Sequence, residues 1–140
     1  MKNILTTLFA SLLLLGCKGS PPKTSADASI GDVTFLNLPL DATKIQYWDD
    51  GNSRIAKFVI SEDGFRELFA RKEFAEITEP IDYEGDVFDK PSKRPRGVPN
   101  HGSETAKSGL IYQKIESNGG GETIIYDRDA SIAYYDYAKR

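Results

Sequence analysis

The chain has 140 residues, 39% of them hydrophobic and 28% charged, with a formal net charge of −3, values that fit one ordinary globular domain. The mildly acidic balance disfavours nucleic acid as a partner. One cysteine and one histidine exclude an internal disulfide and leave too few ligands for a zinc site, so no metal and no cofactor is expected.

The first segment stands apart. Lys2 is followed by an uncharged stretch, Ile4 to Gly16, that holds Ile4, Leu5, Leu8, Phe9 and the run Leu12 to Leu15. A short positive start followed by an apolar core of about 7–15 residues is the layout of a secretory signal peptide. It is too short for a spanning helix, which needs ~20 apolar residues. The segment closes on Leu14-Leu15-Gly16-Cys17. This resembles the lipobox of bacterial lipoproteins, with Leu15 bulkier than the residue most common at its place. The resemblance covers residues 1–17 alone. It implies cleavage before Cys17, a diacylglycerol on the thiol, and an address on the cell membrane or outer membrane with the domain in the periplasm or on the cell surface. Lys18 resembles the outer-membrane default where a second membrane exists. Cleavage removes Lys2 and no acid, so the mature chain is one charge more acidic.

Residues 17–31 then read as the lipidated cysteine and a flexible tether, rich in Pro, Ser and Thr. Its expected span is about 20 Å root-mean-square. Residues 32–140 form the single domain. Val33 to Leu38 is a strand candidate stopped by Pro39. Thr43 to Trp48 and Ser53 to Ile60 flank Asp49-Asp50-Gly51-Asn52 and read as a hairpin. In its second arm Ala56, Phe58 and Ile60 share the expected core face, with Ile55, Lys57 and Val59 opposite.

Ser61 changes the period. It is a good N-cap, Glu62 and Asp63 suit the first turn, and Phe65, Leu68 and Phe69 repeat at helical spacing. The spacing predicts a helix from Glu62 to about Lys72, with Phe74 and Ile77 folding back onto the same core. Thr78 to Ser108 is broken by four prolines and three glycines and reads as a long irregular loop, a length usually reserved for function or disorder. Gly109 to Glu116, Glu122 to Asp127 and Ser131 to Tyr137 are three further strands joined by turns, a β-meander. The expected class is α+β: an antiparallel sheet of four or five strands, hairpin plus C-terminal meander, covered by one helix and carrying one long loop.

Chemistry-bearing residues are few. His101 sits in Pro99-Asn100-His101-Gly102-Ser103, with no Gly-x-Ser-x-Gly elbow. Asp82, Glu84, Asp86 and Asp89 form an acidic run without the EF-hand pattern. Lys90, Lys93, Arg94 and Arg96, spaced by Pro91 and Pro95, form an extended basic segment able to contact anionic groups. Tyr112, Tyr126, Tyr134, Tyr135 and Tyr137 crowd the meander, where aromatics serve first as cross-strand packing and otherwise as a binding surface.

Three readings follow. The first is a non-enzymatic, membrane-anchored binding or accessory protein. Its partners are membrane lipid through acylated Cys17 and an envelope protein or anionic ligand, with contacts drawn from Lys93, Arg94, Arg96, His101 and Tyr135. The second is an inhibitor or immunity-type lipoprotein acting through loop 78–108. The third is a small cell-envelope hydrolase using His101 or the acids at 82–89.

Overall fold

A computed structural model describes residues 23–83 and 104–140. Among the described residues, nine strands and one α-helix succeed one another: β1 (Lys23–Ala28), β2 (Thr43–Asp49), β3 (Ser53–Val59), α1 (Glu62–Leu68), β4 (Ala75–Glu76), β5 (Ile81–Tyr83), β6 (Glu104–Ala106), β7 (Gly109–Ile115), β8 (Gly121–Asp127) and β9 (Ile132–Ala138). Seven strands make one sheet in the order β1-β2-β3-β9-β8-β7-β4, and β5 pairs with β6 in a second, small sheet. Every pairing is antiparallel. The α+β class, the helix and the antiparallel sheet stand. The count of four or five strands is corrected to seven in the main sheet.

Local chemistry explains the turns. Between β2 and β3, Gly51 has φ +84°. Asp49 Oδ1 accepts the Gly51 N–H at 2.9 Å, and Asp50 Oδ1 accepts those of Asn52 and Ser53 at 3.0 and 2.7 Å. Between β8 and β9, Asp127 Oδ1 accepts the N–H groups of Asp129 and Ala130. Ser61 caps α1 by accepting the Gly64 N–H. The helix ends at Leu68, with Phe69 as its C-cap, a turn earlier than its periodicity predicts. Only turns continue toward Lys72.

Each face of the main sheet carries a buried core. On one, Ala56 and Phe58 of β3, Ala133 and Tyr135 of β9, Ile124 and Tyr126 of β8 and Leu110 of β7 pack under α1. Phe65 of the helix is fully buried, with ring centroids 4.9 Å from both Phe74 and Tyr126. Burying such a side chain contributes roughly 1.5–3 kcal/mol. On the other face, Trp48, Ile55, Ile125 and Tyr134 pack with Ile77, Tyr83 and Ala106. Ala56, Phe58 and Ile60 therefore hold the core face expected of them. Ile55, on the face read as outer, is also fully buried, because the small β5–β6 sheet lies over it. Phe74 joins the helix-side core as predicted, whereas Ile77 belongs to the second core.

Two further expectations change. Val33 to Leu38 is not a strand: Thr34 and Leu36 close tight turns onto Asp32 and Val33, while Val33 and Leu38 still bury their side chains. Lys23–Ala28, placed within the tether, is the edge strand β1, paired with β2 from Lys23↔Asp49 to Ala28↔Ile45. A 3-10 turn at Ile30–Asp32 follows it. The ends of the long loop are not irregular either, since Ile81–Tyr83 pairs with Glu104–Ala106. Residues 84–103 lie outside the described residues, and so does the signal segment. No described helix is long and apolar enough to cross a membrane.

Candidate functional site

Strand register sets the site. Arg54 of β3 pairs with Tyr137 of β9, Tyr137 with Glu122 of β8, and Glu122 with Lys114 of β7. The four side chains thus share one row and, by strand alternation, one face. This is the helix-side face, two residues along from Ala56, Tyr135, Ile124 and Tyr112. Seven helical residues extend about 10 Å, whereas seven strand residues extend about 23 Å. The helix therefore covers the Phe58–Tyr126 end of the face and leaves the Arg54 row bare.

A cleft of about 160 Å³ opens there, lined by Arg54, Lys114, Glu116, Glu122, Tyr135 and Tyr137, with Gly121 at its edge. Its floor is rigid. Tyr135 is buried and stacks on Phe69 (6.3 Å, 5° between planes) and Phe35 (5.9 Å). Burial, then the neighbouring Glu122 carboxylate, push its phenol above the usual range. Glu122 is itself held by an ion pair with Lys72. Burial alone would lower the Lys72 ammonium, but the hydrogen bond and charge of Glu122, together with Tyr112, outweigh it and raise it. Lys72 Nζ also lies 4.7 Å from the centre of the Tyr112 ring, a cation–π contact.

Arg54 is less completely served. Its guanidinium lies 5.9 Å from the Phe35 ring centre. Its Nε is buried and has no hydrogen-bond partner among the described residues. The carboxylate of Asp49 is 3.7 Å away, outside hydrogen-bond range. A buried donor left unpaired costs roughly 1–3 kcal/mol.

The opposite face carries a second polar group. Tyr83 Oη is 2.8 Å from Glu104 Oε2 and 3.0 Å from Asp127 Oδ2, and Lys57 Nζ is 2.5 Å from Glu104 Oε1. A phenol has one proton to donate, so the two carboxylates share it. Burial, then Glu104, raise the Tyr83 phenol strongly, so it serves as a donor. These bonds fasten β5–β6 across the main sheet. Asp136 of β9 lies in the next row, opposite Ile55 and Thr123. Burial raises its carboxyl from 3.8 to about 6, against a lowering contact with the Tyr134 hydroxyl that is 3.5 Å long.

Of the residues singled out in the sequence, Tyr135 lies in the cleft. Cys17, Lys93, Arg94, Arg96 and His101 lie outside the described residues, as do Glu84, Asp86 and Asp89. Asp82 is exposed and accepts a hydrogen bond from Thr105. Among the described residues no cluster of three or more His, Cys, Asp or Glu is placed to hold a metal. Sequence reasoning missed Arg54, Lys114 and Glu122, which with Tyr137 are scattered over four strands and meet only through register. No family model, curated protein or solved structure matches the chain.

Proposed function

We propose that this protein is a lipid-anchored, non-enzymatic binding module of the cell envelope, held to a membrane by acylated Cys17 and presenting the Arg54–Tyr137 cleft as its ligand face. The observation that carries the reading is the half-covered sheet. A short helix seals one end of an aromatic face, and the other end keeps an incompletely paired guanidinium beside a Lys and two tyrosines. Arg and Tyr are the residues that dominate recognition surfaces, and a floor fixed by stacking and an ion pair needs little ordering on binding. The volume is below the ~300–1,000 Å³ of drug-sized pockets, which suits one small group of a larger partner. The anchor rests on the lipobox at Leu14 to Cys17, and two or more acyl chains give stable attachment.

Crosslinking in intact cells tests the ligand face. The wild-type chain captures a specific envelope species, and Lys114→Gln and Tyr137→Ala each lose it while remaining folded. Equal capture by both variants would refute the cleft as the ligand face.

A further inference from the structure

The outer edge of β7 is only partly used. The direction of its backbone groups can be read at both ends of the strand. Ser108 C=O accepts the Arg128 N–H, and Glu116 N–H donates to Gly120 C=O, so the even-numbered residues turn toward β8. Gly109 C=O accepts the Ile77 N–H on the other side, so the odd-numbered residues turn outward. β4 meets that edge at Leu110 and Ile111. Beyond Ile111, the outward N–H and C=O groups of Gln113 and Ile115 have no strand beside them among the described residues. An open edge of this kind is a template for another strand. The opposite edge, β1, is better guarded. Its pairing with β2 slips between Ser25 and Ala28, and Lys23–Ala28 carries no large apolar side chain. On β7, by contrast, Ile115 is 74% exposed. Lys114 and Glu116 on either side of it are exposed as well, and neither forms an ion pair with a described residue.

A second copy of the chain fits this edge, and charge selects the register. Copies related by a two-fold axis through the sheet would pair β7 antiparallel with itself. Outward backbone groups must meet outward groups, so the axis passes through Gln113, Lys114 or Ile115. Centred on Gln113, the pairing sets Ile115 against the partner's Ile111, a place that the partner's β4 already fills. Centred on Lys114, it sets the two Lys114 side chains face to face, and like charges directly opposite are destabilising. Centred on Ile115, it brings the two exposed isoleucines together on one face. On the other face it sets each Lys114 opposite the partner's Glu116, in the closer kind of cross-strand pair. This edge is complementary to itself in charge and in apolar surface. We infer that the protein pairs with a second copy of itself along residues 113–116, joining the two main sheets edge to edge. Lys114 and Glu116 also line the cleft, so each cleft gains the partner's Glu116 at its rim. The inference is independent of what the cleft binds.

Residues 17–140 carrying Cys17→Ser hold every described element and serve for the test. So short an interface belongs with the small, transient ones, and half-dimerisation is expected near about 100 µM. Sedimentation velocity from about 10 µM to about 1 mM, a range that brackets this affinity, should show monomer passing to dimer. No larger species should follow, because the pairing closes the edge on itself. Ile115→Lys should stay monomeric throughout. Lys114→Glu and Glu116→Lys should each weaken the dimer by about 10-fold, since each sets like charges opposite one another on both sides of the axis. The double variant Lys114→Glu/Glu116→Lys restores the opposite charges and should recover the parent's affinity to within about 3-fold. A loss of folding could not produce that rescue. All three positions are exposed, so circular dichroism should show the parent's fold in every variant. A parent chain still monomeric at the highest concentration would overturn the inference. A dimer indifferent to Ile115→Lys would do so too, as would a double variant no tighter than the single ones. Failure on any of these counts leaves the ligand-face reading to its own crosslinking result.

Discussion

Asp136→Asn should stabilise the protein at neutral pH and leave it unchanged in acid. Asp136 faces Ile55 and Thr123 on a buried face. Lys57 and Glu104 on that face pair with each other at 2.5 Å, and the hydrogen bond found for Asp136 among the described residues is the long one to Tyr134. Burial raises its carboxyl from 3.8 to about 6. The folded state therefore holds a proton that the unfolded chain has released. Stability is full below about pH 4, falls as pH rises through 4 to 6, and stays reduced above. At ~1.36 kcal/mol per pH unit the loss is about 3 kcal/mol. An amide of the same shape removes the charge, so Asn gains up to that amount at pH 7.5 and nothing at pH 3.5. Urea unfolding of both chains across this range is the assay. With a slope near 2 kcal/mol/M, the midpoint difference should reach about 1.5 M at pH 7.5. A difference independent of pH, or a less stable variant at pH 7.5, would refute the reasoning.

Two other substitutions probe the scaffold. Tyr83→Phe removes the only proton shared by Glu104 and Asp127 and should cost about 1–3 kcal/mol in chemical unfolding, with faster amide exchange in β5 and β6. Gly109 has φ +136°, and a Cβ there would lie 1.8 Å from the Tyr126 carbonyl oxygen. Gly109→Ala must therefore part β7 from β8, and circular dichroism should show a destabilisation of more than about 4 kcal/mol or no fold at all.

What the sequence disclosed depended on how local the signal was. The β2–β3 turn was legible because Asp-Asp-Gly-Asn carries its own hydrogen bonds and its own positive φ. The start of α1 was legible because Ser61 caps it. β1 was not: Lys-Thr-Ser-Ala-Asp-Ala has no apolar alternation, and it is a strand only because β2 offers an edge. Val33 to Leu38 misled in the opposite sense, since its apolar residues are buried from turns. Ile55 looked external because nothing near it in the chain announces that β5 and β6, separated from it by the helix and a long loop, will cover it. The cleft is the extreme case. Arg54, Lys114, Glu122 and Tyr137 are ordinary surface residues on their own strands, and only the pairing register puts them side by side. Tyr135 and Tyr137 could be named from aromatic crowding, but Arg54, Lys114 and Glu122 could not.

The lipid anchor is the central claim of the proposal, because the proposed address depends on Cys17. Its most direct measurement is metabolic labelling with an alkyne fatty acid in a bacterial host, followed by membrane fractionation. Wild type should carry the label, run at the size of the chain cut before Cys17, and sediment with membranes. Cys17→Ser should carry no label, stay unprocessed by the lipoprotein route, and lose the acyl-dependent membrane fraction. An unlabelled wild-type chain, or a Cys17→Ser chain labelled like its parent, would contradict the account.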